Sequence, residues 1–412
     1  MVENLNNAVH AVRGHIQYMQ DATTLVEIQD GLLAWDSTGH IVACDEHKKI
    51  NSLLPKSVNV DNHSGKLVVP GFVDCHVHLP QLDCRNKTGH TLLDWLKNYI
   101  FPAEAAFSDV IFARSIAKRF FLEILQNGTT TAMIYSTIHE AATNVAFEEA
   151  DNCGIRAIIG KVMMDQNCPD ALKENTKESL SGSERLISKW HGHKDRLFYA
   201  MTPRFALTCS RDLIVGAGQM AQDANVYFQT HLSETPDEVA FAKEMHGFSD
   251  YVDFYGDCHC LGKKSMYAHC IYPTDSEWQG LSQSQSAIAH CPSSNIFLRS
   301  GRMPYEKIAE YHVRCGLGSD VGAGPKFSMW DVMRCGQEQH TKNVFSNKNA
   351  FYHATLGGAE ALGLSDQIGS FHVGKKADVV VFDVPTSFNA IEQIPMAAAT
   401  YVSGKMCYLG KE

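Results

Sequence analysis

Apolar residues in the middle of the chain, between residues 67 and 371, fall into short runs of strand length. Eight such runs follow one another: KLVVPGFVDCH (66–76), TTTAMIYS (129–136), RAIIGKVMM (156–164), LFYAMTP (197–203), VYFQTH (226–231), SMYAHC (265–270), SAIAHCP (286–292) and VRCGLGSD (313–320). Helical patterns lie between them, and the clearest covers residues 108–128, where Ser-Asp marks the start and Asn-Gly marks the stop. Since strands that are buried on both faces read as continuous apolar runs, this alternation predicts an α/β fold, specifically a (β/α)8 TIM-like barrel.

The two ends of the chain have a different pattern. Residues 1–66 and the last forty residues alternate short β-like runs with turn signals and lack a long amphipathic helical pattern. Because chain termini often lie close together, we expect residues 1–66 and 372–412 to form one small β-sandwich domain. Residues 67–371 would then form the barrel, in which active sites gather at the carboxyl ends of the strands.

The composition limits the possible partners. The 412 residues carry a formal net charge of −10 and no dense Lys/Arg block, so binding to nucleic acid or to an anionic membrane has no electrostatic support and a small-molecule partner is expected. The opening segment has no apolar signal-peptide core, and no stretch of about 18 apolar residues occurs, which favours a soluble cytoplasmic protein. Thirteen cysteines without framework spacing indicate reduced thiols rather than disulfides.

Polar residues crowd the end of the first apolar run. On a strand, alternate side chains share a face, so Asp74, His76 and His78 point to one side while the intervening apolar residues point to the other. Two imidazoles that point into the barrel mouth suit a divalent metal ion. An H-x-H pair is a weak signal by itself, because His191 and His193 repeat it in a polar loop.

Further potential ligands fall at the ends of other runs. His231 ends the fifth run, His269 lies at the end of the sixth, and Asp320 ends the eighth. Their positions favour a shared site over the alternative of satisfied core histidines and a solvated loop aspartate. Glu234 follows His231 by three residues and would reach the same side if the chain turns there. A carboxylate beside a metal ion can carry protons near neutral pH, although Glu234 could instead cap the next helix.

Several other features are interpreted as structural. The segment DCHC (257–260) has no partner pair at zinc-finger spacing. Lys161 is interpreted as a structural residue rather than as a modified ligand that bridges a second metal ion, and His290 as a residue that shapes its loop. The segment GLGSDVGAGP (316–325) is rich in glycine but lacks the Lys-Ser/Thr ending of a phosphate-binding loop.

Two sets of motifs carry a resemblance to known proteins. PGFVDCHVH (70–78), THLSE (230–234), AHC (268–270), HCPSSN (290–295), GLGSDVGAG (316–324) and GSFHVGKKADVVVFD (369–383) resemble the amidohydrolase superfamily. LLDWLKNYIFPAE (92–104), NGTTTA (127–132), TPRFALTCS (202–210) and ATLGGAEALGL (354–364) resemble, more narrowly, the guanine deaminase family. The resemblance implies a metal-dependent (β/α)8 barrel with a small β-sandwich, assembled as a homodimer.

The resemblance also implies roles for individual residues. One divalent metal ion per chain, zinc or in some relatives iron, would be held by His76, His78, His231 and Asp320. The purine would be bound by Gln81, Arg204 and Phe205, with His78, His231, Glu234 and Asp320 lining the same site. The catalytic residues would be Glu234, Asp320 and His269.

The implied reaction is the hydrolytic deamination of guanine to xanthine and ammonia, a step of purine catabolism. A metal-activated hydroxide would attack C2 of the purine, since zinc lowers the pKa of its water from 15.7 to about 7. Asp320 would accept the proton of the water, and His269 would orient the nucleophile. Glu234 would protonate the ring nitrogen next to C2 and then help to protonate the departing amine.

Recognition and reaction leave alternatives open. The donors of Arg204 suit a purine carbonyl, the amide of Gln81 can both donate and accept, and Phe205 could pack on the ring, but Arg204 could also form a surface salt bridge. A deaminase or chlorohydrolase of another heterocycle, such as a modified purine, a pterin or a triazine, would keep the same metal ligands. A non-catalytic barrel used as a scaffold is a further alternative, although such proteins typically lose ligands that are all present here.

Overall fold

Two hydrogen-bonded sheets organise the chain. The computed structural model describes residues 5–89, 91–340, 344–384 and 395–410. Its strands are β1 (Ala8–Met19), β2 (Leu25–Asp36), β3 (Ile41–Glu46), β4 (Asn59–Pro70), β5 (Phe72–His78), β6 (Thr129–Tyr135), β7 (Arg156–Gly160), β8 (Val162–Met163), β9 (Leu197–Pro203), β10 (Tyr227–Leu232), β11 (Ser265–His269), β12 (Ala287–His290), β13 (Arg314–Leu317), β14 (Val379–Phe382), β15 (Ala397–Val402) and β16 (Lys405–Leu409). One sheet has the order β13-β12-β11-β10-β9-β7-β6-β5, with β8 paired to β9. The other has the order β16-β15-β14-β4-β1-β2-β3.

Helices occupy most of the connections between the barrel strands. The α-helices are α1 (His47–Ile50), α2 (Leu92–Trp95), α3 (Phe101–Ala105), α4 (Val110–Gln126), α5 (Glu140–Cys153), α6 (Thr176–Trp190), α7 (Arg211–Asp223), α8 (Pro236–His246), α9 (Tyr251–Asp257), α10 (Asp275–Gln283), α11 (Pro292–Phe297), α12 (Glu306–Tyr311), α13 (Met329–Gln339), α14 (Asn347–Ala354) and α15 (Leu356–Ala361). A π-helical turn (Leu96–Ile100) joins α2 to α3. None of the helices in the described ranges combines the length and the apolar character that a bilayer crossing requires.

Helix α4 begins and ends where the sequence predicts. The Asp109 side chain accepts hydrogen bonds from the N–H groups of Ile111 and Phe112, which satisfies two donors at the start of the helix. Asn127 is the C-cap, and Gly128 follows with a φ of +82°, in the left-handed region that glycine adopts without steric cost. The Ser-Asp start and the Asn-Gly stop are both confirmed.

The eight strands from β5 to β13, excluding β8, run parallel and form a nearly closed barrel. Each of the eight predicted apolar runs overlaps one of these strands, so the predicted (β/α)8 barrel is confirmed. Every residue of β5 and of β6 is buried, as expected for strands that are covered on both faces.

The first apolar run is divided between the two sheets. It belongs to β4 as far as Pro70 and to β5 from Phe72. Gly71 lies at the crossing, where a Cβ atom would be only 2.0 Å from Thr130 Oγ1, so the close approach requires glycine. The N–H of Gly71 donates a hydrogen bond to the carbonyl oxygen of Asp378 at 2.9 Å. The chain therefore passes directly from the terminal sheet into the barrel.

Strands from both ends of the chain build the second sheet. β1 pairs with β2 in the antiparallel direction and with β4 in the parallel direction. β4 also pairs with β14, a strand from the C-terminal part of the chain. The prediction that both termini contribute to one β structure is confirmed, and its seven strands form a single mixed sheet.

Candidate active site

The carboxyl ends of the barrel strands bring the predicted ligands together. His76 and His78 lie on the last part of β5, His231 lies near the end of β10, and Asp320 follows β13. The Nε2 atoms of His76 and His78 are 3.1 Å apart, and those of His78 and His231 are 3.3 Å apart. Asp320 Oδ1 lies 3.3 Å from the Nε2 atom of His76 and 3.3 Å from that of His78. Three of the four residues are buried, and His231 is partly exposed.

These four distances are close to the spacing expected between neighbouring ligand atoms around one metal ion. Zinc binds imidazole nitrogen at about 2.0–2.1 Å and carboxylate oxygen at about 2.0–2.2 Å, which places neighbouring ligand atoms roughly 3.3–3.5 Å apart in tetrahedral geometry. Ligand atoms of His76, His231 and His269 also lie within 4.8 Å of one another, which places His269 at the edge of the same centre. The donor set therefore fits the metal ion that the family resemblance implies.

Burial keeps the ligand imidazoles in the neutral form that binds metal ions. It lowers the pKa of His78 to about 3 and is the main cause of a pKa for His231 well below the usual value. His231 Nδ1 is 2.7 Å from the carbonyl oxygen of Arg204. The Nδ1 proton is donated to that oxygen, so the Nε2 lone pair faces the centre. The site is thus prepared to bind a cation.

Hydrogen bonds between the first and last barrel strands hold the ligands in place. The N–H of Asp320 donates to the carbonyl oxygen of His76 at 2.8 Å. Asp74, which is buried, accepts one hydrogen bond from the N–H of Ser319 at 2.9 Å and one from the Ser319 hydroxyl at 2.5 Å. The side chain of Asp74 therefore joins β5 to the segment that carries Asp320.

Replacing Asp74 with Asn tests the importance of these hydrogen bonds between Asp74 and Ser319. The Asn Nδ2 group can only donate, so the hydrogen bond with the Ser319 hydroxyl would have to reverse, and the hydroxyl hydrogen would lose its acceptor in a buried place. We expect the free energy of unfolding to fall by about 1–3 kcal/mol, the usual penalty for an unpaired buried polar group. Denaturant unfolding of the variant, of the wild type and of the exposed control Asp366→Asn measures the difference. A variant as stable as the control would contradict this role.

Backbone strain accumulates at the same strand ends. Ser233, His269 and Asp320 have φ angles of +52°, +73° and +48°, in the left-handed region that residues with a Cβ atom rarely adopt. Such conformations cost of the order of 1–3 kcal/mol each and cluster at functional sites. The three residues flank the metal centre, so the strain coincides with the predicted chemistry.

Glu234 faces the metal centre and does not cap the next helix. Thr235 caps α8 instead, because its side chain accepts a hydrogen bond from the N–H of Glu238. Glu234 Oε1 accepts a hydrogen bond from the Ser300 hydroxyl at 3.0 Å, and Glu234 Oε2 lies 3.7 Å from His269 Nε2. Burial raises the pKa of Glu234, which favours a carboxyl group that can bind and release a proton closer to neutral pH.

His269 lies between two carboxylates. Its Nε2 atom is 3.7 Å from Glu234 Oε2 and 3.9 Å from Asp320 Oδ2, while its Nδ1 is 3.1 Å from Asn295 Oδ1. Burial opposes the charged imidazolium, but the two carboxylates outweigh it and raise the pKa of His269. Asn295 accepts the Nδ1 proton, so the Nε2 of His269 is the nitrogen that faces the metal centre.

A small cavity opens beside the metal centre. Its walls are formed by His78, Gln81, Leu92, Trp95, Leu96, Arg204, Phe205, His231, Glu234, His269, Leu298, Asp320 and Ala323. These include every predicted site residue except His76, which lies behind the other ligands. Apolar walls with a few polar groups are typical of sites for small molecules.

One residue of the site was not identified from the sequence. Glu104, on α3, is fully buried and accepts two hydrogen bonds of 2.7 Å from Arg204 Nη1 and one of 3.0 Å from Gln81 Nε2. Arg204 is itself 3% exposed, so the alternative of a surface salt bridge is wrong. The available signal was a lone carboxylate after the apolar residues YIFPA, because buried carboxylates are rare unless they are paired.

Lys161, His290 and the segment DCHC (257–260), interpreted above as structural, are not among the residues that line the cavity. Lys161 is fully buried and its ammonium group lies 2.5 Å from a carboxylate oxygen of Glu174. His290 is buried next to the rings of Tyr305 and Phe345. His193, in the loop after α6, lies 3.6 Å from Asp151 on α5. All thirteen cysteines are free thiols.

Comparison with known proteins agrees with this geometry. The model of the amidohydrolase family matches residues 67–407. A guanine deaminase of Escherichia coli strain K12 is 39% identical over 370 residues, which cover 89% of this chain and 84% of that protein. Among solved structures, an E. coli guanine deaminase has a TM-score of 0.93 and 34% identity, with 98% of this chain and 100% of that chain covered. A guanine deaminase from C. acetobutylicum with guanine in its active site has a TM-score of 0.89 and 28% identity, with 97% and 100% covered. This chain belongs to the amidohydrolase family.

Proposed function

We propose that this protein deaminates guanine by hydrolysis and releases xanthine and ammonia. The observation that carries the proposal is the cluster of four potential metal ligands, whose neighbouring ligand atoms lie 3.1–3.3 Å apart. The cluster borders a small cavity that Glu234, Arg204 and Gln81 also line. Relatives that share most of the length of this chain are guanine deaminases, and one solved structure contains guanine. The protein is accordingly a metal-dependent hydrolase that acts on a C–N bond.

We propose zinc as the metal ion because of the residues that would bind it. Three imidazole nitrogens and one carboxylate oxygen, from His76, His78, His231 and Asp320, would hold the ion, and zinc accepts both kinds of donor, with iron as the alternative. When bound, the ion supplies a Lewis acid that makes water a stronger nucleophile near pH 7. The remaining steps depend on groups of the chain itself.

Asp320 and His269 would control the attacking water. Asp320 directs Oδ1 toward the ligand histidines and Oδ2 toward His269. Burial would raise the pKa of Asp320, but hydrogen bonding and charge from His76 lower it well below the usual value, so Asp320 is a carboxylate that can accept a hydrogen bond or a proton from water. His269 would donate a hydrogen bond from Nε2 to the same water and direct it toward C2.

Glu234 would transfer the protons that the heterocycle requires. Addition of water to C2 places charge on the adjacent ring nitrogen, and ammonia leaves only when the amine has been protonated. A carboxyl group whose pKa is raised by burial can donate the first proton, regain one from the water, and donate again. General acid and base catalysis of this kind typically contributes about 10²- to 10⁴-fold in rate.

Arg204, Gln81 and Phe205 would hold the purine. The Arg204 guanidinium offers only donors, which suit the purine carbonyl, and the Gln81 amide offers one donor group and one acceptor. Phe205 lies with its ring edge-on to that of His231, at 6.2 Å between centroids, and forms part of the wall against which a ring can pack. Adenine would leave a buried donor unpaired, because an amine replaces the carbonyl.

We further propose the assembly and the division of the chain. Residues 1–66 and 372–412 would act as one β domain and residues 67–371 as the catalytic barrel, a division supported by the pairing of β4 with β14. A homodimer is proposed on the family resemblance, and a cytoplasmic location is proposed because thirteen free cysteines suit a reducing compartment. Light scattering during size-exclusion chromatography would measure the mass of the assembly.

A substrate panel tests the function. Purified protein with quantified metal is incubated with guanine, a modified purine, a pterin and a triazine, and ammonia and the ring product are measured. We expect xanthine and ammonia in equal amounts from guanine, with transition metal at about one ion per chain. Turnover of another heterocycle without xanthine formation would reject the assignment. Lack of both metal and hydrolase activity would favour the scaffold alternative.

A further inference from the structure

Glu104 connects Arg204 and Gln81, the two polar side chains that are predicted to bind the purine. Its carboxylate is 0% exposed and accepts hydrogen bonds from Arg204 Nη1 and from Gln81 Nε2. Arg204 and Gln81 line the cavity, whereas Glu104 is not among the lining residues. Any effect of Glu104 on a ligand must therefore pass through those two side chains.

The carboxylate decides the orientation of the Gln81 amide. Ionised Glu104 can only accept hydrogen bonds, so the Nε2 group of Gln81 must face it. Gln81 Oε1 is then held on the other side of the amide, 3.4 Å from the N–H of Gly322. Turning the amide by 180° would place Oε1 against the carboxylate and replace an attraction with a repulsion. Gln81 Oε1 is thereby a fixed acceptor, where a free glutamine could exchange donor and acceptor.

Arg204 is fixed by the same group. Both oxygens of Glu104 lie 2.7 Å from Arg204 Nη1, and the ring of Phe101 lies 5.6 Å from the guanidinium carbon. Phe101 and Glu104 belong to the same short helix, α3, so a single element holds the guanidinium from two sides. The guanidinium has donors and no acceptor, so Arg204 can present only donors to the cavity.

We propose that Glu104 is a positioning residue that makes the cavity select a lactam edge, which is a ring carbonyl beside a ring N–H. The fixed donor of Arg204 matches the carbonyl, and the fixed acceptor of Gln81 matches the N–H. Guanine has this edge at O6 and N1. In 2,6-diaminopurine the C2 amine remains, but an amine replaces O6 and N1 loses its hydrogen, so both polarities are reversed. The inference rests on the proposed function and adds the group that enforces the choice of substrate.

Glu104→Gln tests the proposal, since glutamine has nearly the same shape but can turn either end of its amide toward Gln81 and Arg204. We expect kcat/KM for guanine to fall about 10- to 100-fold, mainly through KM, as charge-assisted hydrogen bonds are lost. The preference for guanine over 2,6-diaminopurine should shrink at least about tenfold. In the variant the Gln81 amide and the Arg204 guanidinium are no longer fixed, so the edge of 2,6-diaminopurine no longer leaves them unpaired. Glu104→Asp, which keeps the charge, should retain more of the preference than Glu104→Gln.

Binding is measured beside turnover. Calorimetric titration of each purine into the Glu234→Gln protein, with and without Glu104→Gln, reports the preference without product formation. The matched control is Asp378→Asn, which removes a buried carboxylate that lies 3.5 Å from the buried Arg156 and does not line the cavity. This control should lose stability and keep the preference.

Two results would overturn the proposal. One is a Glu104→Gln protein whose preference for guanine stays within threefold of that of the wild type. The other is a wild-type protein that binds guanine less than tenfold more tightly than 2,6-diaminopurine. This second result can be obtained even if no Glu104 variant folds. Absence of guanine turnover by the wild type would reject the proposed function, whereas the relative binding of the two purines would still decide the role of Glu104.

Discussion

Replacing Glu234 with Gln is expected to lower kcat for guanine by about 10²- to 10⁴-fold while the metal content stays at the wild-type level. The amide has almost the same shape as the carboxyl group but cannot donate, release and regain a proton. Glu234 is not one of the four proposed ligands, and its carboxylate accepts a hydrogen bond from Ser300 and lies 3.7 Å from His269 Nε2, so we expect the ion to stay bound. Xanthine formation at saturating guanine measures kcat, and emission spectrometry measures the metal.

The control for this variant lies on the next helix. Glu244→Gln changes the same side chain at an exposed position of α8 and should leave kcat unchanged. A Glu234→Gln protein with kcat within threefold of the wild type would show that another group transfers the protons. Loss of metal from the same protein would show instead that Glu234 stabilises the centre.

Removing one metal ligand should have an effect of similar size, accompanied by loss of the ion. His78→Ala takes away the nitrogen that lies closest to those of both His76 and His231, at 3.1 and 3.3 Å. We expect guanine turnover to fall by about 10³-fold or more, because a Lewis acid of this kind contributes several kcal/mol to the transition state. Metal analysis and xanthine formation are measured on the same preparation.

The second H-x-H pair of the chain provides the matched control. His191→Ala removes an imidazole from the polar loop and should keep both metal and activity. Treatment of the wild type with a chelator should abolish turnover, and addition of zinc or iron should show which ion restores it. A chelated protein that is fully active without metal would reject the metal-dependent reaction.

The ligand set illustrates what can be predicted without coordinates. His76 and His78 share a face because strand side chains alternate, and a barrel collects the ends of its strands at one rim. The first rule concerns neighbouring residues and the second holds for every barrel of this kind. His231, His269 and Asp320 could therefore be placed near His76 and His78, because they lie at the ends of other apolar runs. The distances of 3.1–3.3 Å between ligand atoms required the structure.

Glu104 illustrates what could not be predicted. It lies 100 residues from Arg204 and 23 from Gln81 along the chain, and no spacing rule connects residues on unrelated connections. The sequence also left two roles open for Glu234. A carboxylate just before a helix can either cap that helix or carry protons at the site. In the structure Thr235 caps the helix, and the Glu234 carboxylate accepts a hydrogen bond from the Ser300 hydroxyl instead.

The order of apolar and polar residues by itself determined the barrel, the participation of both termini in one β structure, and the strand ends at which the chemistry lies, because periodicity and burial are properties of neighbouring residues. Only the tertiary structure decided which buried charges are paired, which end of the Gln81 amide faces the buried carboxylate, and which carboxylate lies where it can transfer protons. Those outcomes depend on contacts between segments far apart in the chain, where a difference of about 1 Å separates a hydrogen bond from none.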